Sequence, residues 1–213
     1  MTTLAFSGWP PTALEWFRAL EVNNNRAWFQ ANKATYDHDV RSPFESLLAE
    51  LADEFGEGTM SRPNRDIRFS KDKSPYKLQT YARVPRAGGD GGRYVQLRDE
   101  GLFVGGGLYM PDRDHLSRIR AAIADDRSGA ELETIIDGLI GRGMSLMEDG
   151  ALKTAPRGFS AEHPRIRLLR LPHLAAGVLH PPRRWLYTAA AKDRVIDGWR
   201  AIEPLLEWQA RYA

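Results

Sequence analysis

The chain contains no cysteine, which excludes disulfides, thiolate zinc sites and a cysteine nucleophile together. No apolar run approaches the ~20 residues that a membrane helix needs. The first residues, Met-Thr-Thr-Leu-Ala-Phe-Ser, lack the basic start and long apolar stretch of a secretory signal. A Walker loop, a dinucleotide fingerprint and the Gly-x-Ser-x-Gly elbow are absent, as are internal repeats and low-complexity tracts. These absences lead to the expectation of a cytoplasmic globular protein with no membrane partner, no metal and no cofactor.

Acidic residues are scarce in two stretches. Residues 62–98 hold ten Lys/Arg against three Asp/Glu, and residues 153–184 hold seven against one. Those segments carry +7 and +6 in a chain of net charge +2, so the remainder carries −11. Charge segregated in this way produces a steering field on one side of a molecule. The whole chain is less basic than a dedicated nucleic-acid binder, which favours a local anion site.

With 213 residues, 42% of them apolar and 27% charged, the chain has enough material for a substantial core. Its periodicity predicts a single α+β domain over 1–213: helical in 1–60, sheet in 62–110, helical in 111–145, and loop-rich from 150 before a C-terminal helix to 213. Three capping boxes, Thr12 to Glu15, Ser42 to Glu45 and Ser128 to Glu131, mark helix starts, and Asp112 caps another helix. Asn23, Asn24 and Asn25 predict a turn and cap before a helix bearing Trp28, Phe29 and Tyr36. Phe44, Leu47, Leu48, Leu51 and Phe55 form an apolar helical stripe that Gly56 stops.

Period-two alternation over 65–70 and 78–84, followed by a hairpin of 93–97 with 102–109, predicts an antiparallel sheet of about four strands packed by N-terminal and C-terminal helices. Residues 88–92 read as a flexible glycine loop. Gly105, Gly106 and Gly107 fall inside a strand, where they admit a bulge, a close neighbour or a pocket floor. Five prolines between 150 and 186 point to loops, and Pro204 should kink or restart the last helix.

The densest chemistry lies in 62–77, where Arg62, Arg65, Arg68, Lys71, Lys73 and Lys77 accompany Asp66, Asp72 and Tyr76. Crowded cations repel one another, and isolated surface ion pairs return only ~0–1 kcal/mol. Three readings follow: a salt-bridge network bracing a loop, an anion site in which arginine forks and lysine charges hold phosphate or carboxylate, or a protein–protein contact. Alternation over 65–70 expects Ile67 and Phe69 buried, with Asp66 and Arg68 facing the site. In an enzyme, Asp66 or Asp72 would be the base, and Tyr76 or Lys73 the donor to developing negative charge.

Lys153 and Arg157, with Gly158 and Phe159, form a second candidate lobe for the same anion. The histidines, including His38 between Asp37 and Asp39 and His115 beside Asp112 and Asp114, have no recognised ligand spacing. Most tryptophans fall at core-facing helical positions, whereas Tyr81 and Tyr94 share strand faces with Arg83, Gln96 and Arg98. Aromatics interleaved with arginine on a sheet face are one way of holding single-stranded nucleic acid. The partner expected from all this is an anionic small molecule; the alternative is an interaction module whose basic face binds nucleic acid or an acidic protein.

The pattern R-x-x-R-D-x-R-F-x-x-x-K-x-x-Y, met by Arg62, Arg65, Asp66, Arg68, Phe69, Lys73 and Tyr76, resembles the hallmark of a bacterial conserved hypothetical family, domain of unknown function 2461. Asn24-Asn25 before Trp28-Phe29, Gly107-x-Tyr109-x-Pro111, and Leu152-Lys153-x-x-Pro156-x-Gly158-Phe159 also look like that family. The resemblance covers most of the chain. It implies kinship and supports the choice of residues, and it brings no activity with it.

Overall fold

Alternating burial in the middle of the chain identifies its strands. The computed structural model describes residues 5–86 and 91–213, so 88–90 of the expected glycine loop lie outside the described residues. Strand β1 (Thr59–Met60) pairs antiparallel with β2 (Gln79–Pro85), and β3 (Gly92–Arg98) and β4 (Gly101–Leu108) follow. In β2, Thr80, Ala82 and Val84 are buried while Gln79, Tyr81 and Arg83 face outward, the alternation expected of a half-buried strand. With β5 (Ser145–Leu146) and β6 (Leu174–His180), the antiparallel sheet has six strands in the order β1-β2-β3-β4-β6-β5.

The α+β class is as expected, and the strand count is higher than the expected four. The two-residue strands β1 and β5 are too short to show a period. The apolar run within β6 is mostly buried without alternation, so it does not stand out from its proline-rich surroundings. Residues 65–70 are not a strand at all; their structure belongs to the site described below.

The chain divides into two compact units. The first comprises Met1–Val84, Tyr94–Val104 and Leu179–Asp197. Its N-terminal helices are α1 (Pro11–Val22), α2 (Arg26–Ala31), the single turn α3 (Lys33–Thr35), a π-helical segment Tyr36–Arg41, and α4 (Ser42–Phe55). An aromatic core holds them. Trp9 meets Phe6 at 5.1 Å and Phe44 at 5.3 Å, and Trp16 sits among Phe17, Phe29 and Tyr36. All of these pairs but the tilted Trp16–Tyr36 are edge-to-face, a geometry that adds ~0.5–1.5 kcal/mol per pair beyond area burial.

Asn25 caps α2 by accepting from Trp28 N–H, and Gly56 ends α4 at φ 90°, both as the sequence predicts. Two expected starts differ. The Thr12 hydroxyl donates to Asp39 Oδ2 at 2.6 Å instead of capping α1, whose own start is the proline pair Pro10-Pro11. Ser42 is already helical, because the π turn carries the chain into α4 and Ser42 N–H reaches back five residues to Asp37 C=O. That wider turn lets Pro43 follow without an N–H of its own.

The second unit comprises Pro85–Arg93, Gly105–Val178 and Gly198–Ala213. Helices α5 (Arg113–Ala124), α6 (Asp126–Gly141) and the short α7 (Ile166–Leu169) surround a core of Ile119, Ile123, Leu132, Leu169, Leu174 and Trp208. Asp112 caps α5 as expected. The cap of α6 is Asp125, not Ser128, whose buried hydroxyl donates to Ala122 C=O at 2.7 Å. Glu131, the expected partner in that box, instead accepts from Arg211 and Tyr212.

The last helix, α8 (Ala190–Tyr212), runs through Pro204 without restarting there. An interior proline costs ~3 kcal/mol, and the complete burial of Trp199, Ile202, Leu205 and Trp208 around it outweighs that. The three glycines serve close approach. A Cβ on Gly105 would lie 2.3 Å from Ala176 C=O, and one on Gly107 would lie 2.4 Å from Leu174 C=O. Gly107 also adopts φ 130°, a region closed to other residues.

Candidate anion site

Residues 62–77 form a hairpin-like loop with a closed neck. Asn64 and Tyr76 make an antiparallel bridge, Lys77 N–H donates to Pro63 C=O, and Arg65 N–H donates to Pro75 C=O, both at 2.9 Å. The Asn24 side chain clamps the neck: its Nδ2 donates to Tyr76 C=O and its Oδ1 accepts from Tyr76 N–H, each at 3.0 Å. The Tyr76 ring is buried and stacks on Phe29 at 3.9 Å with an 11° interplanar angle. Tyr76 therefore ties the loop to the aromatic core, with its ring in the interior.

Beyond the neck the chain is irregular and braced from within. Arg65 pairs with Asp72, whose Oδ1 also accepts from Ser74 N–H at 2.9 Å and Ser74 Oγ–H at 2.6 Å. Arg68 forks onto Asp66, Nε to Oδ1 at 3.0 Å and Nη2 to Oδ2 at 2.7 Å. Lys73 donates to Ile67 C=O at 3.0 Å. The hydrogen bonds from Ser74, then the Arg65 guanidinium, hold the Asp72 carboxyl far below its ordinary range. The bond from Arg68 also lowers the Asp66 carboxyl from its ordinary value. Both carboxylates stay ionised near neutral pH and are weak proton acceptors.

Because 65–70 is a loop, the face assignment made from alternation does not apply. Phe69 is 96% exposed at the loop's outer end, and Ile67 is half-buried. Alternation of polar and apolar residues arises by composition in a basic loop as readily as in a strand. The turn residues that follow, Ser-Lys-Asp-Lys-Ser-Pro, were the better guide.

Three cations without a carboxylate partner, Arg62, Lys77 and Arg83, lie at the loop's foot. Lys77, half-buried, donates from Nζ to Arg62 C=O at 2.6 Å and lies 5.4 Å from the centre of the Tyr81 ring. Arg83, exposed, places its guanidinium 5.4 Å from the same ring. Burial, then the charges of Arg62 and Arg83, push the Lys77 ammonium below its ordinary pKa, and no acidic group offsets them. None of the three forms an ion pair among the described residues. Arg62 also acts at a distance on Asp66.

The structure thus brings Arg62 and Lys77 together at the foot and places Arg65, Arg68, Lys71 and Lys73 on the loop beyond the neck, where Lys71 is exposed. Lys153 and Arg157 are exposed positions of the second unit. Arg83 and Tyr81 were read from the sequence as a strand face and not joined to the loop. The signal was their spacing from Lys77: once Tyr76 is fixed at the neck, the next outward positions of the same chain are Lys77, Gln79, Tyr81 and Arg83. Tyr81 continues into a row of rings, to Tyr94 at 5.3 Å and from Tyr94 to Phe103 at 6.0 Å.

A family model described as a conserved hypothetical protein (DUF2461) matches residues 12–208. No curated protein and no solved structure matches the chain.

Proposed function

This chain belongs to the DUF2461 family of conserved hypothetical proteins, and we propose that it binds a phosphate- or carboxylate-bearing ligand at the foot of its basic loop. The observation that carries this reading is the convergence of Lys77 and Arg83 on the Tyr81 ring, with the Arg62 charge acting on Lys77 beside them and no carboxylate paired with any of the three. Such an arrangement is repulsive in the free protein and becomes favourable once an anion enters. Arg83 supplies a planar fork and Lys77 a point charge, the pair of donors suited to phosphate or carboxylate.

The carboxylates of the loop support binding over acid–base chemistry. Asp66 and Asp72 are engaged in holding Arg68 and Arg65, which fixes the loop's shape. Their negative charges are paired with Arg68 and Arg65, while Lys77 and Arg83 at the foot have no carboxylate partner.

Thermal melting with titrated phosphate, pyrophosphate and citrate tests the reading. A ligand bound only by the folded state stabilises it by about 2.7 kcal/mol at 100 times its dissociation constant. The wild type should gain melting temperature with at least one of these anions, and Arg62→Ala or Arg83→Ala should lose most of the gain. Equal gains in wild type and both variants would reject the foot as the site.

A further inference from the structure

A small anion at the foot leaves the far end of the loop unexplained. Phe69 exposes 96% of its surface, the greatest exposure of any large apolar residue described, on a loop whose internal ion pairs give it a defined shape. The Arg68 guanidinium stands 5.9 Å from the ring, and Lys71 and Lys73 are exposed nearby in the chain. An aromatic ring placed this way loses apolar burial and gains nothing for folding.

We propose that the anion is the backbone of a single-stranded nucleic acid, with phosphates at Arg62, Lys77 and Arg83 and an unstacked base lying on Phe69. This deepens the foot-site reading and rests on it. Three observations support it. In chain order the cations run from Arg62 through Arg68, Lys71 and Lys73 to Lys77 with only Asp66 and Asp72 among them, a net positive run suited to a polymer of charges. Cations accompany rings at both ends, Arg68 with Phe69 and Lys77 and Arg83 with Tyr81, which is the pairing that holds bases and phosphates together. The outward sheet face beside the foot carries the further rings Tyr94 and Phe103, half-buried and in contact, with Gln96 and Arg98 beside them.

Other polyanions fit less well. A membrane surface needs several inserted apolar groups, whereas Phe69 is the one fully exposed ring of the loop, with Ile67 half-buried and Tyr76 in the core. An acidic polypeptide matches the charge and offers no planar partner for the rings. A duplex keeps its bases stacked on one another, so Phe69 would have no free face to meet.

The test uses fluorescence anisotropy of the intact protein with labelled oligo-dT, alongside polyglutamate and vesicles of equal phosphatidylserine and phosphatidylcholine. Oligo-dT should bind with a log–log salt slope of about −0.7 per phosphate neutralised. Arg62→Ala and Arg83→Ala should each flatten that slope by about one phosphate's share. Phe69→Ala should weaken oligo-dT binding about tenfold with the slope unchanged, and Phe69→Trp should restore it. Because Phe69 is exposed, its replacement leaves folding intact, which circular dichroism checks.

The outcomes separate the two readings. Phosphate stabilisation without oligo-dT binding overturns the nucleic-acid inference and leaves the foot site standing. Binding of oligo-dT that Phe69→Ala does not weaken overturns the role of the tip. Tighter binding to polyglutamate or to vesicles than to oligo-dT at equal charge replaces nucleic acid by that partner. No phosphate effect and no oligo-dT binding reject both readings together.

Discussion

The side-chain amide of Asn24 makes two hydrogen bonds to the backbone of Tyr76, 52 residues away, one as donor and one as acceptor. A carboxamide in this position acts as a substitute for a neighbouring strand. It satisfies both polar groups of the residue that seals the loop's neck. Replacement of Asn24 by Ala leaves both half-buried groups unmet and is expected to cost about 1–3 kcal/mol. Asn24→Asp retains the acceptor and turns an ionised oxygen toward Tyr76 C=O, so it should be the worse of the two at pH 7. Urea unfolding of both variants measures this, and equal stability to wild type would show that the clamp is incidental.

Lys77 provides a titration test of the foot site. Its folded pKa lies below the ordinary lysine value of 10.5 because of burial and then Arg62 and Arg83. The unfolded chain therefore holds this proton more tightly than the folded one, so the group's contribution to stability rises as pH increases toward 10.5. Heteronuclear NMR of the Lys77 ammonium is expected to show a depressed pKa. Arg62→Ala, Arg83→Ala or saturating phosphate should each move it upward. An unchanged value in all three would mean that these charges do not meet.

Asp72 sets the acid limit of the loop's order. Its folded pKa lies far below the ordinary 3.8, through Ser74 first and then Arg65. The stabilisation is therefore complete above pH ~4 and is lost as pH falls through the folded value. Trypsin cleavage after Arg65, Arg68 or Lys71 at neutral pH should be slow in the wild type and faster in Ser74→Ala or Asp72→Asn. Because Asp72 is exposed, the melting temperature should change little. A large drop in melting temperature would mean that the loop is part of the folding core.

Gly107 is held by backbone geometry rather than by chemistry. At φ 130°, with Leu174 C=O 2.4 Å from where a Cβ would stand, alanine meets both strain and collision. Gly107→Ala is expected to cost about 1–3 kcal/mol from the backbone conformation alone, with more from displacement of β6. Gly138, around which a Cβ would meet nothing within 4 Å, is the control: Gly138→Ala on helix α6 should stabilise by up to about 1 kcal/mol.

The sequence made the helices and the central strands legible because their burial follows a period. The stripe from Phe44 to Phe55 and the alternation of Thr80, Ala82 and Val84 appear in the structure on the faces expected. Local caps were less reliable. Ser42 and Ser128 have the right residues three positions on, yet a π turn already leads into the first of those helices and Asp125 caps the second, both earlier in the chain. A capping box is a local pattern, and what precedes it decides whether an end exists there. At the site, composition identified the loop, and short-range alternation misassigned its form. Arg65 and Arg68 drew attention by density of charge, but each has an acidic partner within seven residues. The unpaired cations became visible only when Arg83 and Lys77 met over Tyr81, a contact that depends on the course of the chain through the neck. Arg93, buried on the inner face of β3, had no signal of its own, since its partner Glu203 is 110 residues away.

The π turn at Tyr36–Arg41 has a consequence for the length of the chain. Tyr36, Val40 and Phe44 are all buried at steps of four. At 3.6 residues per turn, each such step overshoots a full revolution by about 40°. A regular α-helix would have carried Phe44 out of phase with Tyr36. The wider turn absorbs the overshoot, and the stripe continues through Leu47, Leu51 and Phe55 in register with what precedes it. Without one residue of this segment, the same side chains would fall at spacings of three and four, the ordinary α-helical phase. The segment is in effect a helix holding one residue more than its geometry requires, so a deletion there should leave the aromatic core aligned, whereas an insertion would turn it out.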